Sequence, residues 1–158
     1  MVDAHESESV HSWKRERNFE GPVEDRLAIR ELMDSYADSI TRRNVHLWAS
    51  CWSQEGRWAP YEKTYLGLHE IVSHLVHIMK HSKGIKGSNT RLFLQFPGSI
   101  KVSGDSGAGW AYTSELLVDD NNMTYHLNGM YSDQYVREDG RWVFAERVFR
   151  KLHIDRPY

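Results

Sequence analysis

Tyr36 occupies the middle of an apolar stripe in which Ile29, Leu32, Met33, Tyr36, Ala37 and Ile40 fall at i, i+3, i+4, i+7, i+8 and i+11, the spacing of one helix face. A phenol buried there needs a polar partner, so its hydroxyl reaches either a core polar group or a cavity. His74, His77 and His81 stand at i, i+3 and i+7, with Glu70 one turn before them, a spacing that can gather a metal ion. At 100° per residue this stripe lies roughly 140° from the mean direction of Leu68, Ile71, Leu75, Ile78 and Met79. It is therefore expected on the solvent side of its helix as a hydrated polar strip, with no metal bound. Asp38 points away from Tyr36 and has Arg42 at i+4, the pattern of an exposed ion pair. Cys51 is flanked by tryptophan with no histidine at an activating spacing, which reads as an inert buried thiol. His126 alternates with Tyr125 and Leu127 and so belongs on the opposite side of its strand. The glycines of Gly104 to Gly109 join two strands rather than a strand and a helix, so no phosphate loop is present. No cofactor is expected.

The chain has 158 residues, a formal net charge of −2, one cysteine, and 12% aromatic residues that include six tryptophans and eight tyrosines. That length suits one domain that folds without disulfide or structural metal. The near-neutral balance argues against nucleic-acid binding. No apolar run is long enough for a signal peptide or a membrane span, and a cytoplasmic location is expected. The aromatic excess implies either a bulky core or a cavity for an apolar ligand.

Residues 1 to 21 are polar, carry the cluster Lys14-Arg15-Glu16-Arg17 and show no period, so they are expected to form a mobile arm or to wrap a partner. After Pro22 the spacing predicts a helix over Asp25 to Thr41, a corner at Arg42-Arg43-Asn44 and a short helix carrying Trp48 and Trp52, ended by Gly56. Trp58 to Tyr61 and Thr64 to Leu66 suggest a short hairpin, and Gly67 leads into a third helix from Leu68 to about Lys80. A loop is expected over Ser82 to Thr90. From Arg91 the period becomes two, giving strands Leu92 to Phe96, Ser99 to Val102, Ala108 to Val118, Met123 to Arg137 and Arg141 to Lys151. Pro97-Gly98, Ser103-Gly104-Asp105, Asp119 to Asn122 and Asp139-Gly140 separate them. Helices followed by a meander predict one α+β domain over residues 22 to 158, with a sheet curled around a helix.

The ordered set of a long helix, a tryptophan-bearing segment, Glu55-Gly56-Arg57-Trp58, a Gly67-led helix, and Gly129-Met130-Tyr131-Ser132-Asp133-Gln134-Tyr135 closing at Asp139-Gly140-Arg141-Trp142 resembles the SnoaL-like, scytalone-dehydratase-like branch of the nuclear-transport-factor-two-like superfamily over about residues 23 to 150. The resemblance implies a cone of strongly curved antiparallel sheet with packed helices around an apolar pocket, and an outer sheet face that makes homodimers or homotrimers. It implies dehydratases, isomerases, polyketide cyclases, dioxygenase small subunits or non-catalytic proteins, since one shell hosts many functions. In the dehydratases of this kind the first helix supplies a tyrosine and an aspartate, and the strand after the third helix supplies a histidine. Tyr36 matches the tyrosine, the aspartate position falls on Thr41, and Leu92 to Gln95 contains no histidine. Glu115 matches a carboxylate of the third long strand and Arg150 an arginine of the last. Asp133 resembles a structural aspartate that pairs with an arginine such as Arg147, and Tyr131 resembles a pocket residue.

Alternation places Glu115 with Ala111, Thr113 and Leu117, and Arg150 with Trp142, Phe144 and Val148. Glu115 then either forms a buried ion pair with Arg150 or Arg147 that closes the barrel, or moves a proton on a ligand. The first functional reading is a cofactor-independent dehydratase, isomerase or cyclase acting on a hydrophobic ring-containing molecule. In it Tyr36, Glu115 and Arg150 do the chemistry, and Trp52, Trp58, Tyr61, Tyr131 and Thr41 shape the site. The second is a binding or accessory protein that has lost the family's acid–base pair.

Overall fold

The computed structural model describes residues 16–81 and 89–155. Strand β1 (Phe19–Glu20) precedes helix α1 (Val23–Thr41), helix α2 (Val45–Ser50), strands β2 (Trp52–Ala59) and β3 (Tyr65–Leu66), helix α3 (Gly67–His81) and the long strands β4 (Asn89–Ser103), β5 (Ser106–Val118), β6 (Thr124–Glu138) and β7 (Arg141–Ile154). They form one seven-stranded sheet in the order β1-β4-β5-β6-β7-β2-β3. β4 to β7 are the antiparallel meander expected from the period of two, while β2 joins β7 and β1 joins β4 in parallel. Its concave face packs on α1, whose buried residues Ile29, Leu32, Met33, Tyr36 and Ala37 are those of the apolar stripe. Pro22 opens that helix, and Arg43, at φ +57°, turns the chain out of it. Asn44 then caps α2 by accepting from Leu47 N at 3.1 Å.

Four expectations need correction. Trp52 is the first residue of β2, not part of a second helix, because Phe144 N donates to Cys51 O at 2.8 Å and draws the chain into register with β7. Gly56 lies inside β2 and ends nothing; a Cβ there would meet Ser53 O at 3.0 Å and Ile71 Cδ1 at 3.2 Å, so glycine lets α3 approach the strand. Pro97-Gly98 is not a turn but a bulge within the continuous strand β4, since Pro97 opposes Ala111 and Ser99 opposes Trp110. Finally, Phe19 and Glu20 of the expected arm pair with Ile100 and Lys101. The remainder of the arm, 1–15, and residues 82–88 of the expected loop lie outside the described residues, and Asn89 and Thr90 already belong to β4.

A second bulge decides which arginine faces inward. Gln134 opposes Glu146 and Tyr135 opposes Phe144, which leaves Ala145 as the extra residue in β7. Beyond it the alternation inverts. Trp142 and Phe144 point into the core, then Arg147 does, and Arg150 emerges on the exposed outer face, where its guanidinium lies 3.9 Å from Met130 Sδ.

Arg147 is 0% exposed and directly opposes Asp133, also 0% exposed. Its Nε and Nη2 reach the two carboxylate oxygens at 2.8 and 3.1 Å, and Nη2 also donates to Gln95 Oε1 at 3.0 Å. Gln95 in turn donates through Nε2 to Met33 O of α1, and Tyr135 O–H donates to Asp133 at 3.2 Å. The guanidinium carbon lies 4.0 Å from the ring centroids of Tyr131 and Phe144 and 4.3 Å from that of Tyr36. Burial works against the charge of Arg147, but Asp133 and the two tyrosines more than offset it and hold its pKa above the ordinary arginine value. Removing one partner of such a pair strands the other charge in the core at a cost of about 3–5 kcal/mol. Arg147→Ala is therefore expected to lose that much in urea unfolding, whereas Arg150→Ala should change stability by less than about 0.5 kcal/mol. Equal losses in the two variants would contradict this assignment.

Candidate functional site

The cage around Arg147 fills one end of the cone. Tyr36, 1% exposed, sits in it with ring centroids 5.8 Å from Trp48, 6.2 Å from Trp52, 5.8 Å from Phe93, 6.3 Å from Tyr131 and 5.5 Å from Phe144. Trp58 extends the cluster to Tyr65 and His74. The other end stays open. A cavity of about 430 Å³ lies between the end of α1, α3 and the inner faces of β4, β5 and β6. Ile40, Leu75, Ile78, Met79, Phe93 and Leu117 make its apolar walls, and Arg43, Tyr61, His74, Asn89, Thr90, Glu115 and Tyr131 bring the polar groups. A second cleft of about 460 Å³, between α1 and the β6–β7 turn, is more polar. There Asp25 accepts from Arg137 at 2.8 Å and from Trp142 Nε1 at 3.0 Å, and these donors hold its carboxyl below the usual range. Asp25 and Arg137 are thus already paired there, whereas the first cavity holds a carboxyl without a cationic partner among the described residues.

Glu115 is the unusual group of that cavity. It stands on the inner face of β5 opposite Phe93 and Leu127. Among the described residues no arginine or lysine pairs with it; Thr90 Oγ1 alone donates to its carboxylate, at 3.2 Å. The ion pair with Arg150 or Arg147 does not form, since the first is outside the cone and the second is held by Asp133. Burial pushes the Glu115 carboxyl up to about 7, with Thr90 opposing. Tyr61 has a solvent-exposed ring, 59%, that packs on Phe149 at 5.8 Å, but its hydroxyl end is desolvated and faces the same carboxyl and Tyr131. Tyr131, buried at the floor, has the Tyr36 hydroxyl as a polar neighbour. Gly129 makes room for this wall: a Cβ there would lie 2.1 Å from Phe149 Cε2, and Phe149 packs on Tyr131 at 5.1 Å.

Of the eight residues singled out in the sequence, Glu115, Tyr61 and Tyr131 thus meet at the cavity. Tyr36, Trp52 and Trp58 form the packed wall behind it, and Arg150 is outside. Thr41 does not line it either: its Oγ1 accepts from Phe93 N at 3.0 Å and pins the end of α1 to β4. The expected roles of Asp38, Cys51 and His126 agree with their surroundings. Asp38 pairs with Arg42 at 2.5 Å on the surface, burial pushes the Cys51 thiol up to about 12, and His126 faces outward to Asp155 at 3.0 Å.

His74 is the residue that sequence reasoning put in the wrong place. It is half-buried and lines the cavity, with its ring stacked on Tyr65 at 3.9 Å and 16° and lying 5.7 Å from Trp58. Averaging three histidines hid the signal: His74 follows Ile71 by three and precedes Ile78 by four, so it borders the apolar stripe, while His77 is exposed. Among the described residues no cluster of three or more metal-ligating side chains occurs, and no helix is long and apolar enough to cross a membrane.

The same architecture occurs in several solved structures. A putative scytalone dehydratase from Novosphingobium aromaticivorans superposes with a TM-score of 0.70 at 16% identity, covering 86% of this chain and 89% of that one. A hexachlorocyclohexane dehydrochlorinase of type 3 from Novosphingobium barchaimii matches with a TM-score of 0.64 at 21% identity over 84% and 90% of the two chains. A cystatin-like protein of unknown function from Nostoc punctiforme gives 0.66 at 16% identity over 84% and 94%. At these identities the likeness establishes the fold. No curated protein matches in sequence. The profile of the SnoaL-like domain, however, matches residues 22–148, most of the chain, and with the curved sheet, the cavity and the helix order already described, it follows that this protein belongs to the SnoaL-like family.

Proposed function

We propose that this protein is a cofactor-independent lyase or isomerase of the dehydratase type, acting on a hydrophobic ring-bearing molecule with a carbonyl or hydroxyl group. The observation that carries the reading is Glu115, a half-buried residue whose carboxyl lines a largely apolar cavity with no cationic partner among the described residues, so that desolvation pushes it up to about 7. A carboxyl placed so can give or take a proton near neutral pH, and such general acid–base help is worth about 10²–10⁴ in rate. The hydroxyls of Tyr61 and Tyr131 stand beside it to hold a ligand oxygen. A volume of about 430 Å³ suits a molecule of one or two rings. Two of the similar folds carry names that denote loss of water and of hydrogen chloride, which supports an elimination.

A second reading, a binding or accessory protein, is favoured by one observation. The positions matching the family's aspartate and histidine are taken up by Thr41, bonded to the β4 backbone, and by Phe93 and Gln95, engaged in the wall and in the Arg147 network. The exposed outer residues Leu92, Leu94, Phe96, Trp110 and Tyr112 of β4 and β5 support self-association as a homodimer or homotrimer.

The test of activity is turnover of a hydroxytetralone, whose loss of water gives a fluorescent naphthol. Glu115→Gln is expected to lower kcat by about 10²–10⁴ with the fold intact; wild-type turnover in that variant would remove Glu115 from the reaction. Stability supplies a substrate-free check. A carboxyl raised from 4.5 to about 7 on folding binds more protons folded than unfolded in that window, so stability is highest below it and falls as pH rises through about 7. Between acid and about pH 8 the wild type should lose about 3 kcal/mol relative to Glu115→Gln. A difference independent of pH would show that Glu115 is hydrated.

The association is tested by sedimentation. Leu94→Glu with Phe96→Glu is expected to yield monomers from a self-associating wild type, and an unchanged assembly would place the contact elsewhere.

A further inference from the structure

His74 has the surroundings of a proton acceptor. Its ring is clamped by the Tyr65 stack at 3.9 Å and by Trp58 at 5.7 Å, so its orientation is fixed by packing. Among the described residues neither ring nitrogen has a hydrogen-bond partner, and the side chain lines the same cavity as Glu115, the one carried by α3 and the other by β5. Neither group acts on the other's ionisation: burial and Thr90 govern Glu115, while burial, His77 and Lys63 govern His74. Burial, with the positive neighbours, moves the His74 pKa below its ordinary value and keeps the imidazole neutral. The charged and titratable groups around this end of the cavity are Lys63, whose ammonium lies 4.9 Å from the Tyr65 ring centroid, His77, Arg43, Glu115 and the phenols Tyr61, Tyr65 and Tyr131.

We propose that His74 is the second proton-transfer group of this site, the base that removes a carbon-bound proton next to a ligand carbonyl, while the Glu115 carboxyl protonates the hydroxyl that leaves from the neighbouring carbon. This rests on the reading that Glu115 exchanges a proton with the ligand. The imidazole takes the proton, the C–H electron pair becomes the new C=C bond, the C–O bond breaks, and the Glu115 proton completes the departing water. Imidazolium then loses its proton to solvent, and the Glu115 carboxylate regains one. The acid–base pair of this chain is thus assembled from α3 and β5.

The test uses tetralone, which has the acidic C–H and no leaving group, and follows exchange of its α-protons for deuterium by NMR. The wild type is expected to exchange it at a rate that rises with pH through a midpoint below the ordinary imidazole range. His74→Phe, which keeps the flat ring on Tyr65, and His74→Gln should lose about 100-fold and the pH step with it. Exchange at the wild-type rate in both His74 variants, or none in the wild type, would overturn the assignment. An unaffected hydroxytetralone turnover in Glu115→Gln would instead overturn the reading on which it rests, so the two failures are separable.

Discussion

The buried pair of Asp133 and Arg147 is the constraint around which the rest of this molecule is arranged. An unpaired guanidinium in a protein core is prohibitively costly, and here it is neutralised by a bidentate carboxylate, braced by Gln95 and covered by three aromatic rings. Gln95 also holds the carbonyl of Met33, so the network ties β4, β6 and β7 to α1. The bulge at Ala145 exists in this context as the device that turns Arg147 inward opposite Asp133. Without the bulge, strict alternation from Trp142 and Phe144 would have sent Arg147 to the surface and Arg150 into the core.

The pair also sets the two ends of the cone apart. Two carboxyls project from the concave face of the sheet, and they are treated in opposite ways. Asp133 meets an arginine, a phenol and full burial and is structural. Glu115 meets a threonine hydroxyl, the Tyr61 phenol and an apolar wall, with no cation paired to it among the described residues, and its charge is therefore held back until about neutral pH. The aromatic cage, Tyr36 included, fills the space between them and gives the cavity a rigid floor in Phe93 and Tyr131. Thr41 fastens that floor to α1 through the Phe93 backbone, a role that a carboxylate at the same position would exchange for chemistry.

The fold was legible because its signals are periodic and local. The α1 stripe, the glycine that opens α3 and the turn residues between the long strands each specify an element by themselves. Alternation grouped Glu115 with Ala111, Thr113 and Leu117, and the structure has these four on one face, since no bulge intervenes between β5 and β6. What failed was whatever depended on a bulge or on neighbours distant in sequence. Ala145 carries no mark that it is the extra residue, so Arg150 was read as facing inward. Pro97-Gly98 has the composition of a turn and is a bulge because Trp110 and Tyr112 close over Gly98. His74 was lost by treating three histidines as one stripe, although its spacing from Ile71 and Ile78 placed it at the edge of the apolar face. Its stack on Tyr65 is a tertiary contact with no local signature.

The central claim is that Glu115 is a carboxyl poised between its two protonation states near neutral pH. The most direct measurement is the infrared spectrum of protein labelled with carbon-13 at the glutamate carboxyls, recorded across pH, with the spectra of Glu115→Gln subtracted. The difference should show one protonated carboxyl band that gives way to carboxylate with a midpoint near 7. A midpoint near the ordinary value of 4.5 would show a hydrated or paired glutamate and contradict the account.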